Sequence, residues 1–234
     1  MTNKFLPKHV AIIPDGNRRW AKERHFPVFK GYAKGSDVIF QISQKAREMG
    51  IKTLSVWGFS TENWTRSKRE VNLLMKVFEK RIDKQLDEAM EEKVRMLHIG
   101  KKTRINSGLR KKIENAEKQT KHFKNNYFVF ALDYGGRDEV LRAIKKIFKK
   151  NKSLDINKLT EDEFSKYLDT KDLPNPNPDL IIRTSGETRT SGFLIWQAAY
   201  SEYIFCKKYF PDFNKQDFEK CILEYSNRKR RFGK

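Results

Sequence analysis

Two patterns of apolar residues alternate along the chain. Short, nearly continuous apolar runs are typical of strands that are buried on both faces of a sheet. Between them lie longer stretches in which apolar residues recur every three or four positions, as they do on one face of a helix. A strand followed by a helix, repeated several times, predicts an α/β fold with a mostly parallel sheet.

The predicted elements cover the chain without a break that would mark a domain boundary. Strands are predicted at 9–14, 53–59, 94–99, 127–132 and 180–183, with a weaker candidate at 203–206. Helices are predicted at 37–49, 68–93, 109–122, 137–149, 161–168 and 216–228. The proline-rich segment 173–178 is short and leads into a predicted strand, so we interpret it as a loop and not as a linker. We therefore expect one domain over residues 1–234.

The charge balance favours negatively charged partners. Fifty Lys and Arg residues against 30 Asp and Glu residues give a net charge of +20. Such a charge attracts nucleic acid, an anionic membrane surface or phosphorylated substrates. The chain has no RRM, KH or helix-turn-helix pattern, so a basic nucleic-acid-binding protein is a rival hypothesis and we expect no nucleic-acid partner.

The cysteines and the N-terminus bear on the cellular compartment. Cys206 and Cys221 are the only cysteines and form neither a CxxC pair nor a disulfide framework, which is typical of a reducing compartment. The first eight residues contain no long apolar segment of a signal peptide. No stretch reaches the roughly 20 apolar residues of a membrane-spanning helix. We expect a cytoplasmic protein that can lie at the periphery of a membrane.

The first predicted strand ends in a segment with candidate chemistry, PDGNRRWA at 14–21. Asp15 and Gly16 allow a tight turn, and a helix can start near Asn17. Free backbone N–H groups at a helix start favour a diphosphate. A carboxylate beside a phosphate site is repulsive unless a cation lies between them, so Asp15 suggests a Mg²⁺ ligand, with Arg18 and Arg19 adding positive charge. The alternative is an ordinary Asp-Gly turn with an Asn cap.

The fifth predicted strand ends in a second such segment, RTSGETRTSG at 183–192. Arg183 and Arg189 alternate there with Ser185, Ser191 and glycines, which suits the binding of phosphate oxygens. An ordinary surface loop with incidental arginines is the alternative. Glu202, further along, is a second acid that could share a metal with Asp15 or be a surface charge. Two phosphate-binding segments and a metal-binding acid favour chemistry on two diphosphates.

At these residues the sequence resembles the cis-prenyltransferase, or undecaprenyl diphosphate synthase, family. The resemblance extends in order from residue 9 to residue 233, and its combination of motifs is specific. It implies a homodimer of six-stranded parallel sheets surrounded by helices, with a hydrophobic tunnel in each subunit whose wall includes the helix at 68–93. The motifs are HVAIIPDGNRRWA (9–21), FSTENWTRSKREV (59–71), DYGGRDE (133–139), PDLIIRTSGETRTSGFLIWQAAYSE (178–202), FPDF (210–213) and RRFG (230–233).

The resemblance also implies an activity: Mg²⁺-dependent condensation of isopentenyl diphosphate with an allylic diphosphate, such as farnesyl diphosphate, to a Z-polyprenyl diphosphate. Metal-binding residues would be Asp15 and Glu202, and catalytic residues Asp15, Asn17 and Asn63. Substrate-binding residues would be Gly16, Asn17, Arg18, Arg19, Trp20, Ser60, Asn63, Trp64, Arg66, Glu70, Arg183, Arg189, Ser191, Arg231 and Gly233. The C-terminal residues Arg231 and Gly233 would reach the active site of the partner subunit. Product release would bring transient contact with a membrane.

Some positions depart from the family pattern. A diphosphate-binding Arg of the family falls on Val28, a His falls on Tyr32, and Arg18 stands where Gly is common; Arg18, Arg24 or Lys30 could replace the lost charge. A non-catalytic partner subunit is a further rival hypothesis, but such members lack the acid or the Arg pair that this chain retains.

Product length depends on which side chains border the tunnel. Phe128, Phe130 and Leu132 share one face of a strand and would limit the space, while Gly58 on the neighbouring strand would leave room. We expect a medium, undecaprenyl-like product, with a short Z-prenyl diphosphate as the alternative. The sequence does not identify the group that accepts the proton.

Overall fold

The predicted strands form a six-stranded sheet in the computed structural model, which describes residues 5–150 and 156–228. The strands are β1 (His9–Ile13), β2 (Thr53–Ser60), β3 (Val94–Ile99), β4 (Asn126–Tyr134), β5 (Leu180–Arg183) and β6 (Glu202–Phe205). Their order across the sheet is β3-β4-β2-β1-β5-β6, and all neighbours run parallel. The prediction of a single-domain α/β fold with a mostly parallel sheet is confirmed.

Helices cover both faces of the sheet. They are α1 (Asn17–Glu23), α2 (Val28–Glu48), α3 (Lys68–Glu91), α4 (Ser107–Thr120), α5 (Gly136–Lys150), α6 (Glu161–Ser165) and α7 (Lys215–Asn227). Successive residues of a strand point to opposite faces. Val10 and Ile12 accordingly join a core with α2, α3, α4 and α7, whereas Ala11 and Ile13 pack with Phe193 on the other face. Within the described residues, no helix is both long and apolar enough to cross a membrane.

Helix α2 begins at Val28, nine residues before the predicted start at residue 37. Glycine has a low helix propensity, so the presence of Gly31 and Gly35 is the reason that residues 28–36 were not predicted to be helical. Both glycines allow α2 to cross α1 closely. A Cβ atom at Gly31 would overlap the main-chain oxygen of Asn17, and one at Gly35 would overlap its side-chain oxygen. Tertiary packing therefore overrides the local preference at these positions.

The strand order brings the candidate segments together. β2, β1 and β5 are neighbours, so the segments that follow their carboxyl ends lie at one edge of the sheet. After β2 comes a short 3₁₀ helix, Thr61–Thr65. The register between β2 and β4 shifts here: Phe59 pairs with Leu132 and Ser60 with Tyr134. This irregularity leaves Asp133 without a partner in the β2 register.

Candidate active site

A cavity of about 920 Å³ opens at the carboxyl edge of the sheet. It is bounded by the start of α1, the end of β2 with the 3₁₀ helix, and the end of β5. Part of its lining is apolar and includes Ile39 and Phe78. Ten of the predicted site residues line it: Asp15, Gly16, Asn17, Arg18, Arg19, Ser60, Asn63, Arg66, Arg183 and Ser191.

Asp15 is held from three sides. Its Oδ2 accepts a hydrogen bond from Nη2 of Arg183 at 2.8 Å, and its Oδ1 accepts one from the N–H of Gly16 at 2.7 Å. The hydroxyl of Thr184 accepts from the Asp15 N–H at 2.9 Å and donates to the Asp15 carbonyl at 2.8 Å. Asp15 is therefore fixed in backbone and side chain while it borders the cavity.

Arg183 lies at the end of β5 and is 4% exposed. Besides Asp15, it donates from Nη1 to Oγ of Ser191 at 2.8 Å and to the carbonyl of Arg189 at 2.5 Å. Its Nε is buried and has no hydrogen-bond partner among the residues that the structure describes. One guanidinium thus joins the two segments that the sequence indicated, 14–21 and 183–192.

The turn into α1 requires its glycine. Gly16 has φ +95°, a left-handed conformation that glycine adopts without strain. A Cβ atom there would also lie 2.6 Å from the ring of Tyr209. Asn17 follows and donates from Nδ2 to the carbonyl of Pro14 at 2.8 Å. Its Oδ1 is buried and finds no partner within the described part of the chain. The interpretation of 14–21 as a tight turn into a helix is confirmed.

Glu187 links two arginines that were predicted to bind diphosphate. Its carboxylate pairs with Nη1 of Arg19 at 2.8 Å and also with Arg189. The hydrogen bond from Arg189 is the main cause that lowers the pKa of Glu187. Arg189 is exposed and does not line the cavity. A diphosphate would therefore compete with this carboxylate for the two guanidinium groups.

A second cluster of charges surrounds Glu70. Its Oε1 accepts from Nη1 of Arg66 at 3.1 Å and lies 3.6 Å from Nε of Arg18. The hydroxyl of Tyr32 accepts from Arg66 at 2.8 Å and donates to Glu70 at 3.4 Å. Burial raises the pKa of Tyr32, so its hydroxyl stays protonated. Tyr32 and Arg18, which both depart from the family pattern, thus belong to one network at the cavity.

Arg24 and Lys30 do not replace the positive charge lost at Val28. Arg24 pairs with Asp212 at 2.9 Å, and the Lys30 ammonium lies 4.5 Å from the centre of the Phe26 ring. Neither lines the cavity, whereas Arg18 does. Of the three candidates, Arg18 alone is therefore placed to compensate.

Trp20 and Trp64 point away from the cavity. Nε1 of Trp20 donates to Asp212 at 2.7 Å, and Nε1 of Trp64 donates to Asp133 at 2.8 Å. Neither indole borders the cavity in this structure. Their contacts are those of residues that position the segments around the site, and direct substrate binding by either remains a prediction.

Within one chain, Glu202 does not lie beside Asp15, and its role as a metal ligand stays a prediction. Glu202 begins β6 and is in register with Leu180, which is in register with Val10. Ile13, the last residue of β1, already lies three residues or roughly 10 Å beyond Val10 along the strand direction, and Asp15 follows it after a turn. That separation exceeds any metal–ligand geometry. Glu202 instead accepts a hydrogen bond from Arg228 at 2.7 Å. The position of Glu202 could not be predicted, because a sequence alone does not show at which edge of the sheet a residue lies.

The C-terminal residues Arg231 and Gly233 lie outside the described residues. Their predicted contact with a partner subunit stays a prediction.

The residues around Asp15 suit a cation that takes most of its ligands from substrate phosphates and water. Among the described residues, no group of three or more His, Cys, Asp or Glu side chains could hold a metal ion. Mg²⁺ is usually held by one or two carboxylates together with substrate phosphates and water. Asp15 offers such a carboxylate beside Arg19 and Arg183, so the donor set fits Mg²⁺ bound jointly with a diphosphate.

A smaller apolar cavity of about 80 Å³ adjoins the large one, with which it shares four lining residues. Phe128, Phe130 and Leu132 all line it, so their common face of β4 does border an apolar space. Gly58 does not leave room, because Leu132 lies 2.7 Å and Phe78 lies 3.4 Å from where its Cβ would be. The shared residues are Ser36, Ile39, Gly58 and Phe78.

Comparison with known proteins decides the family. The profile of a family described as "Putative undecaprenyl diphosphate synthase" matches residues 13–233. The chain belongs to this prenyltransferase family. The resemblance drawn from the motifs is thereby confirmed. The match includes both segments that Arg183 joins.

Relatives of the chain are similar over nearly their whole length. An isoprenyl transferase of Thermotoga maritima is 46% identical over 97% of both chains. The ditrans,polycis-undecaprenyl-diphosphate synthase ((2E,6E)-farnesyl-diphosphate specific) of Micrococcus luteus is 43% identical over 97% of this chain and 92% of that protein.

Two solved structures share the fold. Lavandulyl diphosphate synthase from Lavandula x intermedia, in complex with dimethylallyl diphosphate, has a TM-score of 0.95 at 36% identity, over 98% of this chain and 99% of that one. A probable undecaprenyl diphosphate synthase from Campylobacter jejuni has a TM-score of 0.80 at 33% identity, over 97% of this chain and 99% of that one.

Several residues of the site were not predicted from the sequence. Thr184 and Glu187 lie inside the motif 178–202 but received no role, since neither a hydroxyl nor an acid is specific on its own. Asp133 was likewise only one letter of a motif. The only sequence signal for these three residues is that they lie within the motifs. Their roles depend on contacts with residues far away in the chain, which the sequence does not show.

Proposed function

We propose that this chain condenses isopentenyl diphosphate with an allylic diphosphate, such as farnesyl diphosphate, to form a Z-polyprenyl diphosphate with Mg²⁺. The observation that carries the proposal is that Asp15, Arg19 and Arg183, here called the rim, line one cavity together with an apolar wall that includes Ile39 and Phe78. The rim suits two diphosphates, and the wall suits a growing hydrocarbon chain. In the reaction, the allylic C–O bond breaks, diphosphate leaves, a C–C bond forms, and the isopentenyl group loses a proton.

The rim residues stabilise the charge that develops on the leaving diphosphate. Mg²⁺ bound by Asp15 and substrate phosphates would supply charge neutralisation at the leaving group. Arg18 and Arg19 bind the allylic diphosphate at the start of α1, while Arg183 and Ser191 bind isopentenyl diphosphate. Because Arg183 also holds Asp15 at 2.8 Å, the two substrates are brought to one carboxylate. This places the reacting carbons near each other.

Two asparagines orient the reacting groups. Asn17 has a buried Oδ1 without a partner, so that oxygen can accept a hydrogen bond from a bound ligand. Asn63 is fixed in the 3₁₀ helix, where its Oδ1 accepts from the N–H of Ser60 at 3.1 Å. A phosphate oxygen of the substrate is a suitable proton acceptor, since no buried base borders the cavity among the described residues.

We propose a medium, undecaprenyl-like product. The product would extend from the rim along Ile39 and Phe78 of the large cavity toward the smaller cavity under β4. A short product is the second candidate, and one observation favours it. Leu132 and Phe78 fill the space at Gly58, where the two cavities meet. The mass distribution of the products separates the two.

We propose that the chain acts as a homodimer through the exposed face of α5. Leu141 and Phe148 are 57% and 61% exposed, and Ile144 lies on the same helical face. Ile195 and Trp196 add exposed apolar surface. A second copy of the chain would cover these side chains. Sedimentation should show a dimer that Phe148→Glu dissociates and that Phe29→Glu, at another exposed site, leaves intact.

Membrane contact would lie at the mouth of the cavity. Phe26 and Phe29 are 41% and 42% exposed, and Phe26 lines the cavity. Lys22 and Lys30 add positive charge beside them, which suits anionic lipids. Co-sedimentation with anionic vesicles should weaken in Phe29→Ser, whereas equal binding by both proteins would count against this surface.

The metal-dependent step is tested by Asp15→Asn. This change keeps the shape of the side chain but removes the charge that binds a cation. We expect a loss of prenyl transfer on the order of 10³-fold, while the unfolding temperature changes little. Substantial Mg²⁺-dependent turnover by Asp15→Asn would contradict the assignment.

A further inference from the structure

Asp133 is a completely buried carboxylate at the end of β4, and the mechanism above gives it no role. It has φ +52°, a left-handed conformation that is rare outside glycine. It also lies at the register irregularity between β2 and β4. Such irregularities are frequent beside active sites, where they redirect a side chain.

The redirected carboxylate has two partners from separate parts of the chain. Arg104 donates from Nε to Oδ2 at 2.9 Å and pairs with Oδ1 through Nη2. Trp64 donates from Nε1 to Oδ1 at 2.8 Å. The guanidinium of Arg104 also lies over the indole, 5.1 Å from the ring centre. Asp133 and Arg104 therefore hold Trp64 by a hydrogen bond and by a cation–π contact.

Trp64 belongs to the 3₁₀ helix Thr61–Thr65, which forms one side of the cavity. Its ring packs edge-on against Phe59 with centres 5.2 Å apart. Asn63 immediately before it lines the cavity, and so does Arg66, whose N–H donates to the Asn63 carbonyl at 3.1 Å. The position of Trp64 thus sets the position of the polar groups on this side of the site.

We propose that Asp133 is a positioning residue for prenyl transfer, which fixes Asn63 and Arg66 over the substrates by anchoring Trp64 together with Arg104. The inference rests on the proposed function, since it concerns the same cavity. It gives Asp133, the first residue of the motif at 133–139, a task that involves no contact with substrate. The Asp133 carboxylate is 0% exposed, so its removal leaves the indole N–H of Trp64 and the guanidinium of Arg104 without their acceptor.

A second buried Asp–Arg pair, Asp169 with Arg142, serves as a control for the loss of stability that follows when such a pair is broken. Asp169 accepts two hydrogen bonds from Arg142, at 2.7 Å and 2.6 Å, and is also largely buried. This pair contacts no residue of the cavity side formed by Thr61–Thr65. Asp169→Ala should therefore lower the unfolding temperature as Asp133→Ala does, but without moving Trp64.

The experiment compares Asp133→Ala, Asp133→Asn and Asp169→Ala in the full chain by unfolding temperature and steady-state prenyl transfer. We expect Asp133→Ala to lower kcat/KM about 100-fold, as small misplacements of a catalytic site do. Asp133→Asn should recover most of this loss, because its amide oxygen can still accept from Trp64. Asp169→Ala should keep kcat/KM near the wild-type value. Equal losses for Asp133→Ala and Asp169→Ala, or no loss for either, would overturn the proposal.

A second readout does not depend on turnover. The fluorescence of Trp64 is obtained as the difference between each protein and its Trp64→Phe counterpart. A red shift of this signal in Arg104→Gln, and none in Asp133→Asn or Asp169→Ala, supports the anchor even if Asp133→Ala fails to fold. An unshifted signal in Arg104→Gln would refute it. Absence of prenyl transfer by the wild-type protein would instead refute the proposed function.

Discussion

Arg183→Ala and Arg189→Ala should affect prenyl transfer differently, because the two arginines have different surroundings. Arg183 is buried and donates to Asp15, Ser191 and the Arg189 carbonyl, whereas Arg189 is exposed and pairs with Glu187. Charge-assisted hydrogen bonds are each worth roughly 1.5–3 kcal/mol. Arg183→Ala removes one to Asp15 and one to Ser191 and leaves the carboxylate without its main partner. A loss of about 3–4 kcal/mol, or on the order of 10²–10³-fold in kcat/KM, is therefore expected.

The two variants should separate in steady-state kinetics with each substrate varied in turn. Arg189→Ala should raise KM for isopentenyl diphosphate and leave kcat and the Mg²⁺ dependence almost unchanged. Arg183→Ala should also lower kcat and raise the Mg²⁺ concentration needed for half-maximal rate, because Asp15 loses its orientation. If Arg183→Ala changed only KM for isopentenyl diphosphate, the coupling between Arg183 and Asp15 would have no part in catalysis.

Three further predictions follow from packing, charge and cavity shape. Gly31→Ala should destabilise the fold and impair turnover because its Cβ would overlap the Asn17 carbonyl. The control is Gly108→Ala, whose Cβ would meet the flexible end of the Glu79 side chain. Circular-dichroism melting should show this control to be as stable as the wild type or more stable by up to about 1 kcal/mol. Burial lowers the pKa of His98 from 6.5 to about 4, so the unfolded state binds more protons between these values. The unfolding free energy should therefore decrease as the pH is lowered from 6.5 to 4, by about 1.4 kcal/mol per pH unit from this group. Urea titration of His98→Gln should show a shallower decrease; an unchanged slope would contradict the lowered pKa of His98. Phe130→Ala should shift the product masses upward and Val129→Ala, on the opposite face of β4, should not; unchanged masses from a folded Phe130→Ala would exclude it as a limit on length.

The sheet and the rim of the site could be predicted because short-range patterns determine them. Strands buried on both faces are continuous apolar runs, and all six were located to within a few residues. The turn at Asp15 and Gly16 and the arginine at the end of β5 are local features as well. Once the strands are parallel, their carboxyl ends meet, so Asp15 and Arg183 could be expected on one edge.

The missed features depend on contacts between distant segments. The first part of α2 was missed because Gly31 and Gly35 are unfavourable for a helix by themselves. They are needed for the close packing of α2 on α1, which the sequence does not show. Glu202 could not be located from the sequence, because only the register of β6 shows that it lies at the opposite edge of the sheet from Asp15. Asp133 had no visible task, since its partner Trp64 is 69 residues away.

Transfer of prenyl groups by the purified chain is the most direct test of the central claim. The protein is incubated with isopentenyl diphosphate, farnesyl diphosphate and Mg²⁺, with dimethylallyl diphosphate as a second primer, and the lipids are identified by mass and by double-bond geometry. The proposed reaction predicts products that grow by one isoprene unit at a time with new Z double bonds, and none from Asp15→Asn. No product from the folded wild-type chain with any primer, or exclusively E double bonds, would contradict it.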